Sequence, residues 1–388
     1  MSNIQKTLLT WAEVSRPAAR HNLNALRKRV GASVLLAPSV KANAYGHDLL
    51  LFSKLALESG ADWLCVNALF EAEELRQAAI KAPIYIMGYV LQKDLAEVVR
   101  LGYRLVVYNK ETVKGLAQAA KKLHSKARIH LKIETGNHRQ GILPQDLDDF
   151  VDYIKRFPEI VVEGIATHFA NIEDIDDTSP HRKYPELQLE RFQQTVADLA
   201  QKGLRIPIRH AANSAATLLF PNTHFELVRP GIAAYGLWPS EEIKKSVKKS
   251  NPRMELRPVL SWKTRIAQIK EIPNGAYVGY GCTFKTSQKT RLAILPVGYY
   301  DGFDRGFSNN GYVLIHGQKA PVRGRVCMNI TMVDVTKIPQ ARVEDTVTLL
   351  GKDEREELTA EALAEMLGTI NYEVTTRIRE GIPRIITN

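Results

Sequence analysis

The sequence predicts an α/β chain: a (β/α)8 barrel of the TIM type followed by a mainly β domain. Three observations predict it. From about residue 33 to 236, short β-branched apolar runs alternate with amphipathic stretches of helical length, the pattern of βα units and a parallel sheet. Eight such runs with seven helical stretches between them fit a closed barrel better than an open doubly wound sheet. No Gly-x-Gly-x-x-Gly turn follows the first run, where an open sheet would carry its dinucleotide fingerprint.

The elements follow in order. PAARHNLNALRKRV spaces Leu23, Leu26 and Val30 three or four apart, which predicts a helix with one buried face. The strand candidates are SVLLAPSV, ADWLCVNA, PIYIMGY, YRLVVYN, RIHLKIET, VVEGIATH, IPIRHAAN and ELVRPGI. After Tyr235 the runs LSWKTRIAQIK, RLAILPVGYY, GYVLIHGQ, APVRGRVCMN and DTVTLLG are broken by Gly, Pro and Asn, as in a β domain. The division expected is 1–245 for the barrel and 246–388 for the β domain. One late helix, TAEALAEMLG, has Thr359 as N-cap and Gly368 as its stop.

Composition narrows the function classes. At 388 residues, 45% hydrophobic and 24% charged, the chain can bury a sizeable core and is not a disordered one. A formal charge of +11 raises the possibility of a nucleic-acid partner, but the basic residues are dispersed. Their densest cluster, Lys244, Lys245, Lys248 and Lys249 in SEEIKKSVKKSNPR, holds no aromatic to stack on a base and reads as a solvated linker. No run approaches the roughly 18 apolar residues of a membrane span. The opening MSNIQKTLLTWAEVSRPAARHNL lacks a secretory core. Cys65, Cys282 and Cys327 stand far apart, without the close pairs of metal or disulfide frameworks. A reducing, cytoplasmic location is expected.

In such a barrel the chemistry sits at the C-terminal ends of the strands. The first strand runs into Lys41, either a snorkelling cation or an imine-forming amine whose basicity is lowered by burial and neighbouring cations. The seventh and eighth strands end in HAANSAA and VRPGIAAYG. There Asn213, Ser214 and the backbone N–H groups of Gly231 and Ile232 are the donors a phosphate needs, although NSA alone is also an ordinary cap. Together these point to pyridoxal 5′-phosphate. Arg229 is then a candidate to face the pyridine nitrogen. A permanently charged guanidinium cannot accept that proton, which favours reprotonation at Cα over side reactions.

The ordered set VKANAYGH, HLKIETG, THFAN, HAANSAA, VRPGIAAYG, VGYG, PVGYYDG, GRVCMN and TINYE resembles the alanine racemases and covers nearly the whole chain. The resemblance implies a pyridoxal-phosphate barrel plus β domain, assembled as a head-to-tail homodimer with shared active sites. It implies interconversion of L- and D-alanine by two opposite bases, supplying D-alanine for cell-wall synthesis. Lys41 matches the lysine that binds the cofactor and serves as one base. Tyr280 matches the other base, reaching the partner chain's cofactor. His168, linked toward Arg229 and supported by His210, matches the network that tunes Tyr280. Tyr45 and Tyr372 match residues that reach the phosphate with Ser214, Gly231 and Ile232. Arg139 matches a contact to the cofactor's phenolic oxygen and the substrate carboxylate. Cys327 and Met328 match residues that complete the substrate pocket from the partner chain, and Tyr299 matches a tyrosine that narrows the approach to it. Lys132 matches a lysine carried as a carbamate.

Some positions depart from the family pattern. GNHRQG stands where relatives usually have GMGRLG, so Asn137, His138 and Gln140 surround Arg139 with polar groups. Asn329 replaces a common aspartate, Asp48 a common glycine and Phe284 a frequent tyrosine. The departures at Asn329 and around Arg139 keep open a racemase of another small amino acid such as serine. A non-catalytic pyridoxal-phosphate carrier would lack the VGYG and GRVCMN segments. A two-domain decarboxylase would carry an acidic partner for the ring nitrogen.

Overall fold

The computed structural model describes residues 7–176 and 178–388, so the first six residues of the opening run lie outside the described part. Contacts divide the chain into two units. One comprises Ala19–Ala44 and Leu49–Arg257. The other comprises the described residues as far as Ala18, the short stretch Tyr45–Asp48 and Pro258–Asn388.

The chain opens with strand β1 (Thr10–Ser15) and then the helix Arg16–Val30. Leu23, Leu26 and Val30 are buried on one face of it, as their spacing predicts. The eight strands expected from the sequence follow as β2 (Leu35–Leu36), β3 (Leu64–Val66), β4 (Ile84–Ile86), β5 (Arg104–Val107), β6 (Ala127–Lys132), β7 (Ile160–Ala166), β8 (Ile208–His210) and β9 (Leu227–Val228). Strands β3 to β8 pair in sequence order, all parallel. The ring is completed by β2 against β9, by a parallel bridge from Ser39 to Cys65, and by Arg229 donating its backbone N–H to Ala212 at 2.9 Å. Ala37, Cys65, Tyr85, Val106 and Leu227 pack together. Two buried imidazoles, His130 and His210, join them through ring contacts of Tyr85.

The helix Lys110–Lys122 shows why the connecting stretches are helical. Asn109 caps it, accepting from Thr112 N at 2.8 Å, and Val113, Leu116, Ala117 and Ala120 are buried at helical spacing. The lysine-rich SEEIKKSVKKSNPR, expected as a solvated linker, is instead the helix Glu241–Ser250. Ser240 caps it and Ile243 and Val247, four apart, are buried, so two apolar residues outweigh the polar average of the segment.

The other unit is built on a sheet in which β10 (Leu260–Arg265) pairs antiparallel with β1 and with Thr346–Asp353. The final strand, Arg384–Thr387, runs parallel to β1 on its other side. Trp262, Phe303 and Phe307 form an aromatic chain with ring centroids 6.2 and 4.7 Å apart. The late helix spans Ala360–Leu367, with Thr359 Oγ1 accepting from Ala362 N at 3.1 Å and Gly368 left-handed at φ 66°. Among the described residues, no helix is long and apolar enough to cross a membrane.

Candidate active site

Lys41 follows the first barrel strand and opens an unusual turn. Ala42, Asn43, Ala44 and Tyr45 all have φ of 52–54°, a left-handed turn made without glycine. Each L-residue held so costs about 1–2 kcal/mol, and local bonds offset it. Ala44 N–H donates to Val40 O at 2.9 Å, and Asn43 Oδ1 accepts from Leu49 N at 2.7 Å. The buried Glu71 carboxylate accepts from Ala42 N at 2.7 Å, from Asn67 N at 2.7 Å and from Ala68 N at 3.0 Å. Lys41 thus leaves the strand at a fixed point. Burial lowers its basicity first and Arg139 and Arg229 lower it further, while Glu71 opposes them.

Arg229, fully inside the barrel, donates Nε–H to His210 Nδ1 at 2.8 Å and Nη2–H to the carbonyls of Thr167 and Ala211 at 2.9 and 3.3 Å. His210 Nε2 lies 2.7 Å from His130 Nδ1. Burial and Arg229 push the His210 imidazole well below its usual basicity. Ser214 Oγ accepts from Gly231 N at 2.8 Å and Ala233 N at 3.2 Å, so the hydroxyl and the 231–233 backbone already converge. Ile232 is buried beside them. The Asn213 Oδ1 caps the helix Ser214–Leu219, accepting from Ala216 N at 3.0 Å.

Lys132, Arg139 and His168 line one shallow depression with Glu134, Asn137, Gln140 and Thr167. Lys132 is buried, and its amine is held well below usual basicity by burial, then by Arg229 and Arg139, against Glu134. Burial opposes ionisation of Glu134, yet backbone N–H groups of His138, Gly136 and Asn137 hold it in the charged form. His168 is kept neutral by burial and by Lys132, and its buried Nδ1 has no hydrogen-bond partner among the described residues.

On the other unit, Tyr45 and Tyr372 lie together, ring centroids 6.2 Å apart. Tyr280 stands at the tip of the hairpin Tyr277–Val278/Phe284–Lys285 and is 73% exposed. Gly279 and Gly281 flank it at φ 71° and 70°, and a Cβ on Gly281 would crowd the Arg325 guanidinium at 3.1 Å. Tyr280, Tyr299, Arg325, Cys327, Met328 and Asn329 line one depression. Tyr299 N–H donates to Cys327 O and Tyr300 N–H to Met328 O, both at 3.0 Å, which fixes these segments side by side.

The departures have local explanations. His138 and Asp48, which stand where relatives usually have glycine, both have positive φ, 52° and 77°. His and Asp are among the few residue types that tolerate this region. Asn329 Nδ2 donates to Asp301 Oδ2 at 3.2 Å, a contact that an aspartate would turn into repulsion. Asn137 donates to the His168 carbonyl and Gln140 to the Tyr108 hydroxyl, both at 3.3 Å. Phe284 lies under the Arg323 guanidinium, 4.7 Å from its ring centre. Sequence reasoning missed Glu71, His130 and Arg325. Glu71 carried the clearest signal, a glutamate three residues after the N-cap Ala68 of the helix Leu69–Gln77.

The alanine racemase N-terminal domain family matches residues 14–239 and the alanine racemase C-terminal domain family residues 259–386. The alanine racemase of Methanococcus maripaludis is 41% identical over 376 residues, which is 97% of this chain and 98% of that protein. That of Leptospira interrogans is 40% identical over 390 residues, 100% of this chain and 98% of its own. Among solved structures, alanine racemase of Clostridium difficile 630 superposes with a TM-score of 0.91 at 34% identity, covering 98% of this chain and 96% of that one. The Bacillus anthracis enzyme with bound L-Ala-P gives 0.90 at 34% identity, covering 98% and 95%. Matched in both units and along almost its full length, the chain belongs to the alanine racemase family.

Proposed function

We propose that this chain interconverts L- and D-alanine with pyridoxal 5′-phosphate, using Lys41 and Tyr280 as opposite bases. The observation that carries the reading is the cluster at the barrel's C-terminal end: the partly buried amine Lys41, of depressed basicity, shares its surroundings with the buried Arg229 and the exposed Arg139. The residues present fit the cofactor. Lys41 offers the amine, Ser214, Gly231 and Ile232 the phosphate donors, and Arg229 a guanidinium for the ring nitrogen. By family resemblance, Tyr45 and Tyr372 add phenols to the phosphate. Bound pyridoxal phosphate supplies an electron sink that acidifies the amino acid's Cα–H.

The chain's own groups do the rest. Lys41 Nζ takes or returns a proton on one face, and the Tyr280 oxygen does so on the other. Arg139 holds the substrate carboxylate, and Met328 and Cys327 limit the side chain. Tyr280 reaches the partner's cofactor in a cytoplasmic homodimer, where the His168 Nδ1, without a partner among the described residues, is a fitting neighbour for a phenol. The product is available for cell-wall synthesis. Loss of circular dichroism signal from L-alanine, compared with each other small L-amino acid in turn, tests the reading. Faster loss with L-serine than with L-alanine would replace alanine as the substrate.

Lys132 is proposed to act as a carbamate. Its amine, kept neutral by burial beside Arg229 and Arg139, attacks carbon dioxide, an N–C bond forms, and the nitrogen proton leaves to water. The resulting anion would hold Arg139 toward the substrate carboxylate. Lys132→Ala is expected to lose activity by roughly ten- to a hundredfold, since a small misplacement of a positioning group has effects of that order. Acetate should restore part of it. A carbamate resonance under 13C-labelled carbon dioxide, lost in Lys132→Ala, is the direct check. A wild-type spectrum without it defeats the proposal.

A further inference from the structure

Arg229 carries a permanent charge inside the barrel, and its hydrogen bonds go to neutral acceptors. A buried cation of this kind requires compensation. Following the bonds outward gives the first carboxylate: Arg229 to His210, His210 to His130 at 2.7 Å, and His130 Nε2 to Glu163 Oε2 at 3.4 Å. Glu163 is also held by Arg104, whose Nε donates to the same Oε2 at 2.9 Å and Nη2 to Oε1 at 3.2 Å, and by Arg128 at 3.5 Å from Oε1.

The protons along this chain admit one arrangement. Arg229 Nε can only donate, so His210 Nδ1 is a bare acceptor and the proton of that ring sits on Nε2. His210 Nε2–H then faces His130 Nδ1, which is therefore also bare. His130 in turn carries its proton on Nε2 and must give it to an acceptor, and Glu163 is there. Protonating either imidazole would set two donors against each other. Both rings are thus neutral, in line with their burial.

Two independent features of the backbone serve the same contact. Strand β7 has a bulge opposite β6: Ile129 pairs with Val162 and His130 with Gly164, leaving Glu163 as the extra residue. Bulges re-aim a side chain in this way. Gly164 leaves room for the His130 ring, because a Cβ there would lie 2.3 Å from its Nδ1. Tyr85 closes over both rings, with centroids 4.7 and 5.3 Å away.

We propose that Glu163 is a positioning residue for the reaction: through neutral His130 and His210 it fixes one proton arrangement and so holds the Arg229 guanidinium in place. The inference rests on the function proposed for Arg229 above. The test is imidazole nitrogen NMR of the full-length protein without added cofactor, assigned by single histidine replacements, together with kinetics of the cofactor-loaded enzyme. In the wild type, His130 and His210 should both show a bare Nδ1 and a protonated Nε2, with no titration while the protein stays folded.

Glu163→Gln keeps an acceptor carbonyl for His130 and should keep that pattern with nearly full kcat. Glu163→Leu removes the acceptor and should give mixed tautomers at His130. Its kcat should fall about tenfold, the scale on which residues remote from a site modulate it, with KM changed less than twofold. A protonated Nδ1 or a titrating ring in the wild type overturns the inference, even if Glu163→Leu fails to fold. So does Glu163→Gln as slow as Glu163→Leu, or a Glu163→Leu enzyme of unchanged kcat. Racemisation without the tautomer pattern overturns this inference alone; the pattern without racemisation overturns the proposed function.

Discussion

Lys41→Ala is expected to lower racemisation by at least roughly 10²- to 10⁴-fold, the usual range for loss of a positioned general base. The effect should be at the upper end, because on the proposed function the same amine would also anchor the cofactor. Lys41→Arg should not rescue it. A guanidinium keeps the positive charge but has no lone pair to offer. The site is prepared for an amine: burial, Arg139 and Arg229 disfavour its ammonium form, while the Glu71 carboxylate opposes them. Borohydride reduction of the cofactor-loaded protein followed by peptide mapping checks the assignment. Label on a lysine other than Lys41 would sink it.

Tyr280→Phe is expected to be almost as damaging, but in one direction more than the other. If Lys41 and Tyr280 work on opposite faces, the variant should lose proton removal from L-alanine far more than from D-alanine, by roughly 10²-fold or more. Exchange of solvent deuterium into each enantiomer, measured separately, resolves this. Equal loss from both enantiomers would mean that Tyr280 is not the base for one face. The exposed hairpin tip on which Tyr280 stands leads to a second expectation. If the proposed homodimer shares its sites between chains, mixing Lys41→Ala chains with Tyr280→Phe chains should restore about a quarter of wild-type activity, since half the dimers would be mixed and each would have one intact site. No recovery, despite demonstrated subunit exchange, would put both bases on one chain.

The barrel was legible because each of its strands is a short apolar run set off by an amphipathic helix, and period and length suffice to find such units. Lys41, Arg229 and Ser214 were legible as polar residues at strand ends. Other features needed three dimensions. Strand β1 pairs with β10, some 250 positions away in sequence (Val14 with Leu260), and nothing local in TWAEVS announces that. The helix Glu241–Ser250 was hidden because eight polar residues mask two buried ones. His130 and Glu163 read as ordinary strand residues, since neither a bulge nor an imidazole-to-imidazole contact leaves a mark on composition. The turn after Lys41 was the least expected feature, as KANAY lacks the glycine that normally signals positive φ.

That turn has a stereochemical corollary. Ala42 and Ala44 sit at φ/ψ of 54/54° and 52/52°, the mirror image of the right-handed helical region that L-alanine prefers. The methyl group of an L-residue crowds the following carbonyl in this geometry, at about 1–2 kcal/mol each. A D-alanyl residue built into the backbone at either position would meet no such crowding, because inversion at Cα exchanges the favoured and disfavoured hands. The segment next to Lys41 therefore has the backbone handedness natural to D-alanine, although it is made of L-residues.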